Sequence, residues 1–428
     1  MQQSSVQPTQ DVSTARRDFR LLLSGQSISL VGDQFMVIAL PLLAVSVVSA
    51  TEAQAVLLPF ALYLPFLLVG LQAGAMIDYL RRRSVMLLCE AVQVVTFLTI
   101  ALLGYFDRLS FPVLMLLVGV SGVSLVFFQI AYTSFLPELY TDKEKLHKAN
   151  SWLTFFESSS KSLGPMLAGP VIALFGTVIA VFVNAVSSIV SLVTIGLIQH
   201  KKERIELNRR EKQRGWMRRD IAEGLVFVFR HPILEPVITC GVVYVMFTMM
   251  VRTTIVLYCV KVMGLSESLV GIVIGASALG FPIGNLLSVH LVRRVGVGRG
   301  LVLSATTAVV GLAFIPVAGM AGSVLGLIIA NVIHGMGEGS FGPTAVTLRQ
   351  TAAPAELLGR VNSVQRVLTW GAFSIGSLLA SGATLLFGLD HALWIGGLCS
   401  MLCVPVLARR GVLLECLRGE AASQTRES

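Results

Sequence analysis

Apolar residues in this chain come in long unbroken blocks, not in the alternation of a strand or the single stripe of a soluble helix. Only helices and closed barrels satisfy every backbone group inside a hydrocarbon layer, and a layer ~30 Å thick takes about 20 helical residues. Blocks of that length recur from one end to the other and predict spanning helices at 19–47, 54–77, 84–104, 111–133, 149–173, 177–198, 233–257, 268–290, 300–319, 323–345, 363–386 and 391–408. The expected fold is all-α: a polytopic membrane protein with twelve transmembrane helices in two pseudo-symmetric six-helix bundles. The division is a tail over 1–18, a first bundle over 19–198, a linker over 199–232, a second bundle over 233–408 and a tail over 409–428.

The polar breaks orient these spans. All but four of the 33 Lys and Arg fall in the tails, in the even-to-odd loops or at their helix ends. Arg108 and Lys261 lie in the other loops, and Lys161 and Arg252 lie within spans. This positive-inside bias places both termini in the cytoplasm and the chain in the cell's inner membrane. The longest break, Gln199 to His231, carries Lys201, Lys202, Arg204, Arg209, Arg210, Lys212 and Arg214 and separates six spans from six. Within it Trp216, Ile221, Leu225 and Phe229 fall near helical spacing, which suits either a helix lying on the membrane surface or a solvated linker helix.

Composition closes off other classes. With 54% hydrophobic residues, 13% charged residues and a mean hydropathy of +0.78, the chain is unlike a soluble domain, where about a quarter of residues are charged. A net charge of +9 suggests nucleic acid only when it gathers on one solvated face, and here it sits between apolar runs, so no nucleic-acid partner is expected. The six cysteines show no C-x-x-C pair and no histidines at zinc spacing, which leaves no expected metal and no disulfide framework. There is no G-x-x-x-x-G-K-[ST] loop for nucleotide phosphates, and neither H-E-x-x-H nor G-x-S-x-G for an intramembrane hydrolase. No enzymatic activity and no cofactor are expected, and an ion gradient remains as the energy source.

The two sets of six spans repeat. Glu144, Leu146, Lys148, Asn150 and Ser151 match Glu356, Leu358, Arg360, Asn362 and Ser363 at an offset of 212. The register continues through Gly164 with Gly376, Leu167 with Leu379, Ala168 with Ala380 and Phe175-Gly176 with Phe387-Gly388. A parallel repeat of this kind forms a central cavity and lets one half rock against the other.

Between the second and third spans runs Gly74-Ala75-Met76-Ile77-Asp78-Tyr79-Leu80-Arg81-Arg82-Arg83, with a degenerate copy from Gly284 to Arg293-Arg294 in which Ser288 replaces the acid. This resembles the G-x-x-x-D-x-x-x-R-[RK] loop of the major facilitator superfamily, and the resemblance extends over nearly the whole chain. It implies that Asp78 latches the cytoplasmic side across the interface between halves while Arg82 and Arg83 hold the loop. A plain positive-inside anchor would explain the arginines but not Asp78. In the fifth span, Ser160-Lys161-Ser162-Leu163-Gly164-Pro165-Met166-Leu167-Ala168-Gly169 partly resembles the glycine-proline signature of exporters in that superfamily. Ser160 and Lys161 depart from it. Physically, Gly164, Pro165 and Gly169 allow kinking and close helix packing. With the Ser29 to Asp33 start of the first span and the Trp216 to Pro232 segment, the chain most resembles drug-proton antiporters, the subgroup of macrolide and enterobactin exporters.

Ionisable groups at bilayer depth are costly and usually face a water-filled cavity. Asp33, flanked by Gly32 and Gln34, is the leading proton-carrier candidate, against the alternative of an aspartate paired with a polar neighbour. Glu157 and Lys161 share a helix face and form either a structural pair or a protonation switch. His334 and Glu338 lie one turn apart inside Gly335-Met336-Gly337-Glu338-Gly339-Ser340-Phe341-Gly342-Pro343, a stretch expected to be kinked or partly unwound, as a second proton or cargo site. Arg252 either meets an anionic partner or snorkels to the outer interface. Gln34, Phe128, Tyr132, Tyr244, Phe247 and Met250 are candidate cavity-lining residues, with core or lipid packing as the alternative.

The resulting expectation is a monomeric secondary transporter that exports a hydrophobic or amphiphilic small molecule by proton antiport and alternating access, with cargo and membrane lipids as its partners. Two other readings stay open: a lysolipid translocator, and a membrane sensor or scaffold whose basic linker binds anionic lipid.

Overall fold

The computed structural model describes residues 12–77, 79–140, 142–199 and 216–408. Apolar blocks become helices throughout: α1 (Val12–Ser46), α2 (Glu52–Ile77), α3 (Arg82–Tyr105), α4 (Phe111–Leu139), α5 (Lys143–Leu197), α6 (Trp216–Arg230), α7 (Leu234–Leu257), α8 (Glu267–Val295), α9 (Val297–Met320), α10 (Val324–Ala352), α11 (Ala355–Ser400) and the short α12 (Cys403–Leu407). A single π turn, Tyr258–Val262, extends α7. No strand occurs among the described residues.

Among the described residues ten helices are long and apolar enough to cross a bilayer, and two of these are double. Gly176 (φ 83°, ψ 170°) breaks α5, and Gly388 (φ 83°, ψ 173°) breaks α11. A positive φ of this kind suits glycine because no Cβ clashes with the backbone. Each glycine folds one helix back as two crossings, which gives the twelve passes the hydropathy predicts. The two glycines are also partners in the 212-residue repeat, so the repeat extends to backbone dihedrals.

Its packing repeats as well. A Cβ on Gly164 would meet the side chain of Gln34 on α1, and a Cβ on Gly376 would meet the backbone of Met246 on α7. Gln34 and Met246 are themselves 212 residues apart. One bundle joins α1 to α5 and α3 to α4 and α5; the other joins α7 to α11 and α8 to α9 and α10. Outward faces are apolar, with Leu88, Leu116, Leu174, Leu286 and Leu385 among the exposed side chains, as a hydrocarbon solvent requires.

The first span is longer than the hydropathy suggests, since α1 begins at Val12, seven residues before the expected start at 19. In α10 the glycine-rich stretch from Gly335 to Pro343 is not unwound: it lies within one continuous helix that includes Pro343. Its glycines serve contact and leave the helix unbroken. A Cβ on Gly335 would run into the Ser277 carbonyl of α8, one on Gly339 into that of Phe281, and one on Gly337 into the Ala308 backbone of α9. Small residues at such points let helix backbones touch.

Two seams join the halves. Along α5 and α8, Gly169 faces the backbone of Glu267 and Ser268, Gly271 faces Pro165, and Gly275 faces Ser162 and Met166. Along α2 and α11, the hydroxyls of Ser381, Ser377 and Ser374 donate to the carbonyls of Ala53, Val56 and Phe60 at 2.8, 2.7 and 3.1 Å. Aromatic rings continue this seam, with Phe66 stacked on Trp370 at 4.4 Å. Lys261 and Glu52 pair loosely at 3.8 Å at the outer end, the end remote from Val12. The α5–α8 seam thus seals the outer end, and beyond Ser162 and Gly275 the helices part around a cavity.

Helix α6 docks on the second half. Gly224 lies against Arg360 and Val364 of α11, Glu223 accepts from the Arg360 guanidinium at 2.6 Å, and Val228 is fully buried while Val226 and Phe229 face outward. The basic stretch from Lys201 to Arg214, the side chains of Trp216 and Ile221, and the tail over 409–428 lie outside the described residues.

Candidate functional site

Between the halves lies a cavity of about 100 Å³, lined by Val37 of α1, Ser158 and Lys161 of α5, Arg252 of α7, Ser277 and Phe281 of α8 and Asn331, His334 and Glu338 of α10, among others. Charged residues from both halves therefore share one space. Arg252 is exposed there and makes no hydrogen bond or ion pair among the described residues, so it does not snorkel to the outer interface. Tyr63 of α2 lies within electrostatic reach of both Arg252 and Asp33.

Helical spacing places the three candidate acids. Asp33 is four residues from the lining Val37, Glu157 four from Lys161, and Glu338 four from His334, and residues four apart share a helix face. In α1, α5 and α10 alike the acid is the member of the pair nearer the side where Val12 lies. Glu338 itself lines the cavity, while Asp33 and Glu157 each lie one helical turn from a lining residue on that side. The Asp33 side chain is exposed, one turn from Val37 on the cavity wall.

His334 is nearly buried. Its Nδ1 lies 3.2 Å from the Ala308 carbonyl oxygen, which can only accept, so Nδ1 carries the hydrogen. Tyr244 Oη stands 3.4 Å from the same nitrogen. This leaves Nε2 facing the Glu338 carboxylate at 3.9 Å. Glu157 and Lys161 form an ion pair at 2.9 Å with both side chains about half exposed, so solvent screens it.

Other candidates serve packing. Phe128 and Met250 are buried in core clusters away from the cavity wall, as Phe128 stacks on Tyr132 in the first half and Met250 packs within the main core. Both point inward because α4 and α7 turn those faces to neighbouring helices, which residue type alone does not reveal. Phe247 is half-buried against the main core. Gln34 is covered by Gly164 of α5. Pro165 and Gly169 abut α8 in the seam between halves.

Of the loop motif, Asp78 lies outside the described residues. Gly74 has nothing near its Cβ position. Arg82 donates to the Ser134 carbonyl at 2.8 Å and to Glu138 Oε1 at 2.6 Å on α4, while Arg83 donates to the carbonyls of Ile195 and Gly196 at the end of α5. Both arginines thus tie the start of α3 to its own bundle. Glu138 was not singled out from the sequence, and no spacing rule points to it.

A second unanticipated group is Glu90 in α3. It is 4% exposed, and its Oε1 accepts from Ser191 at 2.6 Å and from Gln26 at 3.3 Å. The signal was present in the sequence as an acid within the apolar block 84–104.

The sequence pattern of the Major Facilitator Superfamily matches residues 22–377 and again 239–413. The chain belongs to this superfamily. It is a multi-pass membrane transporter by descent and fold. It is 26% identical over 400 residues to the uncharacterized MFS-type transporter YfiS of Bacillus subtilis, covering 92% of this chain and 91% of the relative. It is 26% identical over 405 residues to the multidrug efflux pump Tap of Mycolicibacterium fortuitum, covering 92% and 96%. Among solved structures, a bacterial homologue of the iron transporter ferroportin in the inward-facing state matches with a TM-score of 0.72 at 20% identity, covering 92% of this chain and 99% of that one. A structure of such a homologue in the outward-facing state matches less well, with a TM-score of 0.59 at 20% identity, covering 91% and 98%.

Proposed function

We propose that this transporter exports hydrophobic or amphiphilic small molecules, drugs or antibiotics among them, across the cell's inner membrane in exchange for protons. It acts as a monomer with both termini in the cytoplasm and needs no cofactor. The observation that carries this reading is the set of three carboxyls at the cavity between the halves: Glu338 lines it, and Asp33 and Glu157 lie one helical turn from residues that do. The seal along α5 and α8 at the outer end, with the better match to an inward-facing fold, supports a state open to the cytoplasm and ready to load. The kinship with Tap supports efflux.

Protons enter the cycle through these carboxyls. Cargo and protons compete for one space: Phe281 and Ile315 supply an apolar wall for an aromatic or aliphatic body, and the charges of Arg252 and Glu338 respond to its polar groups. Protonating Glu157 frees Lys161, and protonating the His334–Glu338 pair changes the charge that α10 presents to the cavity. One proton crossing ~100 mV supplies about 2.3 kcal/mol and each pH unit about 1.4, so one proton per cargo sustains roughly a thousandfold gradient.

The test is dye or antibiotic efflux in membrane vesicles with and without a protonophore. Proton-driven efflux is expected in the native protein and is lost in Asp33→Asn, which keeps the side chain's shape. Efflux indifferent to the proton gradient overturns the coupling, and full coupled transport in Asp33→Asn removes that residue from it.

A further inference from the structure

The first half holds a polar seam that the cavity does not use. Along α1, Gln26 and Ser29 are buried against Asn184, Ser187, Ser188 and Ser191 on the second crossing of α5. Gly32 admits the close approach, since a Cβ there would overlap Ser187 Oγ and Asn184 Oδ1. Asn184 Nδ2 is buried without a hydrogen-bond partner. Asp33 stands at the cavity end of this seam. At the other end, about 10 Å away by helical rise from residue 33 to residue 26, Gln26 donates to Ser191 at 2.9 Å and both donate to Glu90.

Glu90 has two donors on one oxygen, none on the other among the described residues, and no cation beside it. The titratable groups that act on it are Asp33, within electrostatic reach from α1, and its neighbour Cys89 on α3; α5 faces it with the hydroxyl of Ser191. A buried carboxylate without a counter-charge is costly, and a carboxylic acid needs none. The free oxygen is where a proton fits.

We propose that Glu90 is a second proton-binding carboxyl inside the first bundle, coupled to Asp33 through the α1–α5 seam. The transfer is a proton exchange: the O–H bond of Asp33 breaks, an O–H bond forms on Glu90 Oε2, and the negative charge passes from Glu90 to Asp33. Its part in transport rests on the proton-coupled reading above, whereas its capacity to hold a proton does not.

The experiment is pH-difference infrared spectroscopy of the full chain in lipid, with no cargo required. A carboxylic C=O band that titrates with pH is expected to vanish in Glu90→Gln and to persist with a moved midpoint in Asp33→Asn, because coupled sites titrate as a pair. Ser191→Ala removes the shorter hydrogen bond and shifts the same band in frequency, which keeps the test valid should Glu90→Gln misfold. A titration identical in native protein and Glu90→Gln, or a band unmoved by Ser191→Ala, overturns the proposal. Vesicle efflux judges the transport reading separately, so the two fail on different measurements.

Discussion

Replacing Gly169 by alanine probes the α5–α8 seam. An ideal Cβ at that position falls 2.5 Å from the Glu267 carbonyl oxygen and 2.9 Å from Ser268 Cα, both backbone atoms. Neither can rotate aside, so the outer ends of α5 and α8 must separate, and overpacking of this kind costs about 1–3 kcal/mol. The cost falls only on the state in which the outer end is sealed; once the halves rock apart there, the methyl group meets nothing. The population ratio should therefore shift by about 5- to 150-fold toward the state open at the outer end. Spin labels at Phe175 and Val262, exposed positions near the outer end of each half, would read this as a longer distance by pulsed electron resonance, after the six native cysteines are replaced. Gly382→Ala, where a Cβ meets open space, is the silent control. If Gly169→Ala gives the native distance distribution, the seam does not set the equilibrium and the argument from backbone contact is wrong.

Two further substitutions separate stability from function. Arg82→Ala removes the hydrogen bonds to Glu138 and to the Ser134 carbonyl that tie α3 to α4, and should lower the melting temperature in detergent by the equivalent of about 1.5–3 kcal/mol, the range for hydrogen bonds to charged groups. Glu157→Gln breaks an ion pair that is half exposed on both sides; its melting temperature should stay within the equivalent of about 0.5 kcal/mol, while the pH dependence of efflux changes. A large loss of stability in that variant would make the pair structural.

How much of this could be read in advance depends on what each residue needs from its surroundings. The crossings follow from apolar length alone, and the Gly176 and Gly388 turns could be located because a repeat of 212 residues aligns them. The His334–Glu338 and Glu157–Lys161 pairs follow from helical spacing, a purely local property. The meaning of the glycines in α10 was misread, since glycine permits either a break or a close contact and only the carbonyls of Ser277 and Phe281 on another helix decide between them. The same holds for Arg252, whose direction is set by how α7 is rotated, and for Phe128, which the sequence cannot distinguish from a lining ring. An acid inside the apolar block 84–104 marks Glu90 as unusual, but its partners cannot be read from the chain, since its donors lie 64 and 101 residues away and no local pattern announces that they converge.

The serine ladder between α2 and α11 bears on how such a molecule can flex repeatedly without wear. Ser374, Ser377 and Ser381 lend hydroxyls to carbonyls that α2 already uses for its own helix, so the ladder can unzip and close again while each rod keeps its internal bonding whole. At about 1 kcal/mol per rung, the fastening holds against thermal jostling yet yields to the energy of a single proton.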